Sequence, residues 1–279
     1  MTLHFLERES AMPVVQDISA TRTFGSQVDF GKTASDYRTF RAGFPSEFFR
    51  SLAERQWVRP GERAIDLGTG TGTVARGLAQ MGMSVIGVDP AAALLTEAAT
   101  LDREAGVNVE YRVGSAEELS EASESVQLVT AGQCWHWFDR PKAANEAARV
   151  LTNGGRIIIA HFDWLPLAGN VVEATEELIL AHNPAWTMGG GYGIYPAWLR
   201  DLAGASFVRL ETFSFDIDVS YSHEAWCGRI RASAGVKASL DPEEIKHFDA
   251  TLSSILRERY PADPLSIPHR VWVATGVKE

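Results

Sequence analysis

Residues with chemical potential fall in four short stretches of this chain. Asp66, Gly68, Gly70 and Gly72 belong to the run Ala64-Ile65-Asp66-Leu67-Gly68-Thr69-Gly70-Thr71-Gly72-Thr73. Glycine has no Cβ and tolerates positive φ, so three glycines at every second position let a tight turn bring backbone against a ligand. Asp89 closes a second apolar run, Ser84-Val85-Ile86-Gly87-Val88, and Pro90 follows it. A carboxylate at the end of a second strand can hold a ribose diol through two hydrogen bonds. Together these stretches describe a site for a nucleoside cofactor. The third stretch is Gly114-Ser115-Ala116-Glu117-Glu118-Leu119 and the fourth is Gly132-Gln133-Cys134-Trp135-His136-Trp137-Phe138-Asp139. His136 is a candidate base, because an imidazole with an ordinary pKa of about 6.5 titrates near operating pH. The alternative is that His136 and Trp135 only line a pocket.

The glycines alone leave the nucleoside open. Gly70, Gly72 and Ala75 also satisfy the Gly-x-Gly-x-x-Gly/Ala pattern of dinucleotide sites, which would make the chain an NAD-type oxidoreductase. Asp66 argues against that reading. Its charge would sit beside a pyrophosphate, whereas it suits a cationic amino-acid moiety.

These residues need a scaffold that brings strand ends together. Residues 64–67 read as a buried strand and 74–79 as the helix after it. Residues 84–88 make a second strand, and 91–104 a helix with Leu94, Leu95, Ala98 and Leu101 at helical spacing. Strands are expected at 107–113, 126–131 and 156–160. A helix from Pro141 to about residue 151 precedes the last of these, with Asn153-Gly154-Gly155 as its cap and turn. Strand and helix alternating five times imply an α/β fold with a parallel, doubly wound, Rossmann-like sheet. Ligands bind outside the carboxyl ends of such strands, where all four stretches would lie. Beyond residue 160 the rhythm changes. Helices at 168–182 and 197–203 flank the glycine-rich aromatic loop 186–196, a strand covers 208–219, helices follow at 223–232 and 242–258, and the last strand covers 270–276.

The motifs resemble those of the class I S-adenosylmethionine-dependent methyltransferases. The family's first motif, Asp/Glu-x-Gly-x-Gly-x-Gly, matches Asp66, Gly68, Gly70 and Gly72. Its Gly-Asp/Ser-Ala-Glu segment, where a strand-end side chain meets adenine, matches Ser115, Ala116 and Glu117. Tyr37 and Arg41, followed by Phe44-Pro45, fit an N-terminal Tyr-x-x-x-Arg entry motif that closes over the cofactor and contacts its methionine carboxylate. A planar guanidinium suits that carboxylate, although Ala42 stands where proline is common. The His-Trp-Phe-Asp run is similar to that of the branch containing trans-aconitate methyltransferase-like proteins. The resemblance implies S-adenosyl-L-methionine as cofactor, S-adenosyl-L-homocysteine as product, and contacts from Pro90, Gln133 and Trp135 besides those named. It also implies a seven-stranded sheet, the last strand antiparallel beside the fifth, with a helical lid inserted after strand five. The methyltransferase domain would span residues 31–279, with lid segments at about 164–206 and 223–262.

Methyl transfer from a sulfonium chiefly requires acceptor, methyl carbon and sulfur to be held in line. Such orientation supplies roughly 7 to 11 kcal/mol in favourable systems. Aromatic walls suit the cation as well, by about 0.5 to 2 kcal/mol. His161 is a second candidate base and a substrate contact. Trp164, Trp186, Met188, Tyr192 and Tyr195 form an aromatic and apolar set beyond the fifth strand, which suggests a small lipophilic or aromatic acceptor such as occurs in natural-product biosynthesis. The competing reading makes them ordinary core residues. Arg229 and Arg231 could hold an anionic acceptor or form a solvated helix face.

A net charge of −10 over 279 residues disfavours nonspecific nucleic-acid binding, whose affinity comes from phosphate contacts. No run of about 18 apolar residues appears, so no membrane span is expected. Two cysteines make no disulfide framework, and the seven histidines show no ligand spacing, so no metal is expected. A cytoplasmic enzyme is the expectation, with a catalytically silent interaction module as the contrasting class. Residues 1–30 read as an N-terminal extension that could pack over a neighbouring subunit in a homo-oligomer.

Overall fold

The computed structural model describes residues 43–279 except 234, 237 and 238. Tyr37, Arg41 and the N-terminal extension lie outside the described residues. The chain enters through α1 (Ser46–Glu54), then alternates β1 (Arg63–Leu67), α2 (Thr73–Gln80), β2 (Ser84–Asp89), α3 (Ala92–Ala105), β3 (Glu110–Val113) and β4 (Val126–Gly132). A 3-10 turn (Trp135–Trp137) leads to α4 (Arg140–Val150) and β5 (Leu151–Trp164). Then come α5 (Val171–His182), α6 (Trp198–Gly204), β6 (Val208–Tyr221), α7 (His223–Arg231), α8 (Pro242–Arg259) and β7 (Leu265–Val277).

The seven strands form one sheet in the order β3-β2-β1-β4-β5-β7-β6. β1 to β5 run parallel, and β7 inserts antiparallel between β5 and β6. Strand order reverses between β1 and β4, and that switch point is where an open α/β sheet leaves a crevice. Parallel strands covered on both faces need nearly continuous apolar sequence, and β1, β2 and β4 supply it. Phe48, Leu52, Val74, Ala75 and Leu78 of α1 and α2 pack on one face. Ala143, Ala144, Ala147 and Val150 of α4 cover the other, where small side chains allow close approach.

Several boundaries depart from the sequence expectation for identifiable reasons. β3 is short because Gly106, in the left-handed region, ends α3 and the Val107 N–H still bonds back to Asp102. It is also an edge strand, so Val113 is 66% exposed rather than buried. β5 starts at Leu151, before the expected cap and turn. Gly154 and Gly155 are held within the sheet by Lys278, whose carbonyl accepts from Gly154 and whose N–H donates to Gly155. β5 also continues past Ala160 because β7 pairs with it as far as Trp164↔His269. His161 is therefore inside a strand and not in a loop after it.

A third apolar cluster joins α5, α7 and α8 through Val172, Ile179, Trp226, Ile230, Phe248, Leu252 and Leu256 to the far ends of β6 and β7. Asp241 caps α8 in a capping box with Glu244, fixing the helix start. α6 does not belong to this helical layer. Trp198 and Leu202 instead pack with α4 and Trp272 on the sheet face.

Candidate active site

The glycine turn is built from below by Asp66. In the sheet register Asp66 lies beside Thr130, whose hydroxyl donates to Asp66 Oδ1 at 2.7 Å. The Thr69 hydroxyl donates to Oδ2 at 2.6 Å, so the carboxylate ties the turn to two strands. Asp66 is fully buried. Burial pushes its carboxyl from the ordinary 3.8 up to about 6, against the lowering pull of Thr69, Thr130 and the Ala75 N–H. Its carboxylate thus shapes the turn, which sequence reasoning did not foresee.

Gly68, Gly70 and Gly72 all take positive φ, at 56°, 56° and 76°. Their surroundings differ. A Cβ on Gly68 would lie 2.8 Å from Cys134 Cβ and 3.0 Å from Phe138 Cζ, so this glycine lets the stretch after β4 pack on the turn. Around a Cβ on Gly70 nothing lies within 4 Å, so the backbone there borders open space. Gly72 is the N-cap of α2, and a Cβ there would collide with the Tyr111 hydroxyl, so this glycine lets Tyr111 of β3 pack on the turn.

Asp89 ends β2 against this open side. Its Oδ2 accepts the Gly70 N–H at 2.9 Å and its Oδ1 the Ala91 N–H at 2.8 Å. Burial raises its pKa, offset in part by those two N–H groups. A carboxylate has about four lone-pair sites, so each oxygen keeps one acceptor position for a further donor. Pro90 and Ser115 are exposed, while Ala116 is buried under the loop. Glu117 Oε1 accepts the Asp139 N–H at 2.9 Å, which anchors the 114–119 segment to the start of α4.

At the end of β4, Gln133 takes a left-handed φ of 64° and its side-chain amide donates to the Phe162 carbonyl. A non-glycine residue held there carries backbone strain of about 1 to 3 kcal/mol, a cost found where neighbours over-determine a site. Trp135, expected at the cofactor, sits elsewhere. Its indole is wholly buried and donates to Asp201 Oδ2 at 3.0 Å, making it a core residue between the 3-10 turn and α6.

His136 and His161 come together. Their nearest nitrogens, His136 Nδ1 and His161 Nε2, are 3.2 Å apart, and His161 Nδ1 lies 3.0 and 3.1 Å from the two Asp163 oxygens. The Tyr195 hydroxyl donates to Asp163 Oδ2 at 2.6 Å, while its ring stacks on Trp198 at 4.2 Å. Burial would raise Asp163, but the neighbouring His161 and the Tyr195 hydroxyl outweigh it and hold the carboxyl below its ordinary value. Burial, with Asp163 beside it, pushes the Tyr195 phenol well above its usual range. Asp163 was missed because the fifth strand was expected to end at residue 160. Once β5 runs on, positions 161 and 163 share a face by period two.

The other aromatic candidates are not part of this cluster. Trp164 donates to Glu176 Oε1 at 2.7 Å, and Glu176 Oε2 accepts the Gly190 N–H at 2.7 Å. Trp186 packs over Gly189 and Gly235 with the helical layer. Tyr192 is 62% exposed. Arg229 lies 4.6 Å from the Trp164 ring centroid, and Arg231 pairs with Asp249. Among the described residues no group of three His, Cys, Asp or Glu side chains is arranged to hold a metal, and no helix is long and apolar enough to cross a membrane.

Comparison with known proteins identifies the family. Residues 65–159 match the family model described as a methyltransferase domain. An uncharacterized methyltransferase of Schizosaccharomyces pombe is 32% identical over 239 residues, covering 85% of this chain and 88% of that one. The chain spans about half the length of other relatives it matches, such as methyltransferases of Dictyostelium discoideum and Mycobacterium tuberculosis, at 51% and 50%. Among solved structures, a type II methyltransferase from Anaeromyxobacter dehalogenans superposes with a TM-score of 0.61 at 24% identity, covering 86% of this chain and 98% of that one. A Haemonchus contortus phosphoethanolamine N-methyltransferase solved with S-adenosylhomocysteine has a TM-score of 0.54 at 20% identity, covering 89% of this chain and 57% of that one.

Proposed function

Because the chain belongs to the class I S-adenosylmethionine-dependent methyltransferases, we propose that it methylates a small lipophilic or aromatic metabolite at the crevice between β1 and β4. The observation that carries this is the pairing of Gly70, open around its Cα, with the buried Asp89, which keeps an acceptor position on each oxygen. Asp89 would hold the two ribose hydroxyls. Gly70 would admit the cofactor to the backbone, with Gly68, Gly72 and Asp66 maintaining the turn. Pro90, Ser115, Ala116 and Glu117 would border adenine, and Gln133 the methyl-bearing end. Tyr37 and Arg41 would close over the methionine carboxylate. When bound, S-adenosylmethionine supplies an activated methyl group on a sulfonium.

The rest falls to the protein: exclude water, hold the acceptor in line, and take its proton where it has one. His136 is the candidate base, since the turn that carries it packs on Gly68 through Cys134 and Phe138. His161 and Tyr195 supply polar contacts beside it, and the α5, α7 and α8 layer with Trp164, Trp186 and Tyr192 would form the lid. Incubation with labelled S-adenosylmethionine and separate pools of small aromatic, indole and carboxylate acceptors tests this reading. Label should enter the aromatic pools; transfer confined to the carboxylates would contradict the acceptor class, and no transfer to any pool would favour a silent module.

A further inference from the structure

We propose that Arg76 is a positioning residue for the cofactor: its guanidinium, set by Asp102 and Tyr111 beneath the glycine turn, holds the Thr71–Gly72 peptide in the orientation that keeps the turn open at Gly70. This rests on the methyltransferase reading of that turn. The three residues belong to no motif in the sequence, and they come from three elements. Arg76 lies on α2, Asp102 on α3 and Tyr111 on β3.

Arg76 ties two consecutive carbonyls of the turn. Its main-chain N–H donates to the Gly72 carbonyl at 2.8 Å, while its Nη2 donates to the Thr71 carbonyl at 2.8 Å and to the Ala98 carbonyl of α3 at 3.3 Å. The same guanidinium pairs with Asp102, Nε lying 2.7 Å from Oδ1, and both side chains are largely buried. Tyr111 closes the cluster. Its hydroxyl is buried against Gly72, where a Cβ would lie 2.1 Å from it, and its ring lies across Gly87 of β2, where a Cβ would come within 2.7 Å. Burial and the neighbouring Asp102 carboxylate push the phenol well above its usual range, so it stays neutral beside the ion pair. Gly87, inside a strand, thus makes room for a side chain that reaches from the edge strand to the turn.

The glycines leave the turn in want of such a restraint. α2 starts at Gly72 without a side-chain cap, and Gly72 has a φ of 76°. Glycine accepts either sign of φ, so Gly72 does not by itself decide which way the peptide before it faces. In the observed orientation the Thr71 carbonyl meets Arg76 and the Gly72 N–H donates to the Thr69 carbonyl at 2.8 Å. Reversal would break both bonds and set the Thr71 carbonyl against that of Thr69, so the turn around Gly70 would lose its shape. The bond from Arg76 is the stronger of the two, since a charged donor makes a hydrogen bond roughly twice as strong as a neutral one. Stability alone gives little reason to keep a buried ion pair here, because apolar residues of similar volume often serve as well. Orientation does. The planar fork of arginine reaches a carboxylate and a carbonyl at once, which the point charge of a lysine does not reproduce.

Backbone amide exchange in the full-length protein, read by 1H–15N spectroscopy, tests the restraint without a ligand. In Arg76→Lys the Gly72 amide should exchange more than tenfold faster than in wild type, while the amide of Val129, buried between β1 and β5, keeps its rate. Unchanged exchange at Gly72 would overturn the proposal. So would equal acceleration at both amides, which would make Arg76 a general contributor to stability. Calorimetry on the same proteins reads the consequence for binding, since Asp89 would serve the ribose and the turn the amino-acid end. S-adenosylhomocysteine should bind Arg76→Lys more than tenfold more weakly than wild type, and 5′-methylthioadenosine, which lacks the amino-acid end, within threefold of wild type. S-adenosylhomocysteine affinity kept within threefold, or equal loss of both ligands, would overturn the positioning role. Should Arg76→Lys fold poorly, Arg76→Met combined with Asp102→Leu, an apolar replacement of the pair, carries the same expectations. Wild-type protein that binds neither adenosyl ligand would remove the methyltransferase reading, whereas the exchange rates judge the restraint on their own.

Discussion

Replacing Asp66 by asparagine removes one titrating group from the middle of the fold while keeping its shape. The amide oxygen can still accept from one threonine hydroxyl, and the other hydroxyl can rotate to accept from the amide nitrogen. In the wild type the carboxyl is pushed from 3.8 to about 6, chiefly by burial. An acid with a raised pKa binds more protons in the folded chain than in the unfolded one. Its contribution is therefore most favourable below the unfolded value and is lost as pH rises through the folded value. The shift from 3.8 to about 6 corresponds to roughly 3 kcal/mol. Because the group is fully buried, solvent screening does not reduce this. The Asp66→Asn protein lacks this slope, and the other acids titrate alike in both proteins. Between pH 3.8 and about 6 the variant should therefore gain roughly 3 kcal/mol relative to wild type. Urea unfolding followed by tryptophan fluorescence across that window measures the difference. A stability difference that stays flat with pH would refute the reasoning, because it would mean that Asp66 ionises in the fold as readily as in the unfolded chain.

Other substitutions separate binding from packing. Gly68→Ala puts a Cβ 2.8 Å from Cys134 at positive φ, and should cost about 1 to 3 kcal/mol in thermal or urea unfolding. Gly70→Ala meets no neighbour and should cost about 1 kcal/mol in stability, while weakening S-adenosylhomocysteine binding in calorimetry more than Gly68→Ala does per unit of stability lost. Asp89→Ala removes the acceptor proposed for both ribose hydroxyls and should weaken that binding by about 1.5 to 3 kcal/mol, or roughly 10- to 100-fold. Trp135→Phe leaves Asp201 without its indole donor, so unfolding should show a loss of about 1 to 3 kcal/mol with cofactor affinity unchanged.

The glycine turn and the carboxylates beside it were legible because their chemistry is local in sequence. Asp66, Gly68, Gly70 and Gly72 lie within a single strand and turn, and Asp89 marks the end of the next strand. Their roles can be named from residue type, since only glycine takes positive φ there without cost. The partners of Asp66 were not legible, because Thr130 reaches it through sheet register and not through spacing. The cluster around His136 and His161 depends almost wholly on tertiary placement. Trp135 and His136 are adjacent, yet the 3-10 turn sends one into the core and the other toward His161. Asp163 emerged only when β7 was seen to extend β5, a pairing between segments more than a hundred residues apart. Trp164 and Trp186 read as pocket aromatics but pack with Glu176 and the helical layer, because hydrophobic composition does not distinguish a core from a binding wall.

Calorimetric titration of the wild-type protein with S-adenosylhomocysteine and, separately, NAD bears most directly on the site at the glycine turn. Saturable one-to-one binding of S-adenosylhomocysteine, weakened roughly 10- to 100-fold in Asp89→Ala and absent for NAD, is the expected result. Binding of NAD with no heat from S-adenosylhomocysteine would contradict it.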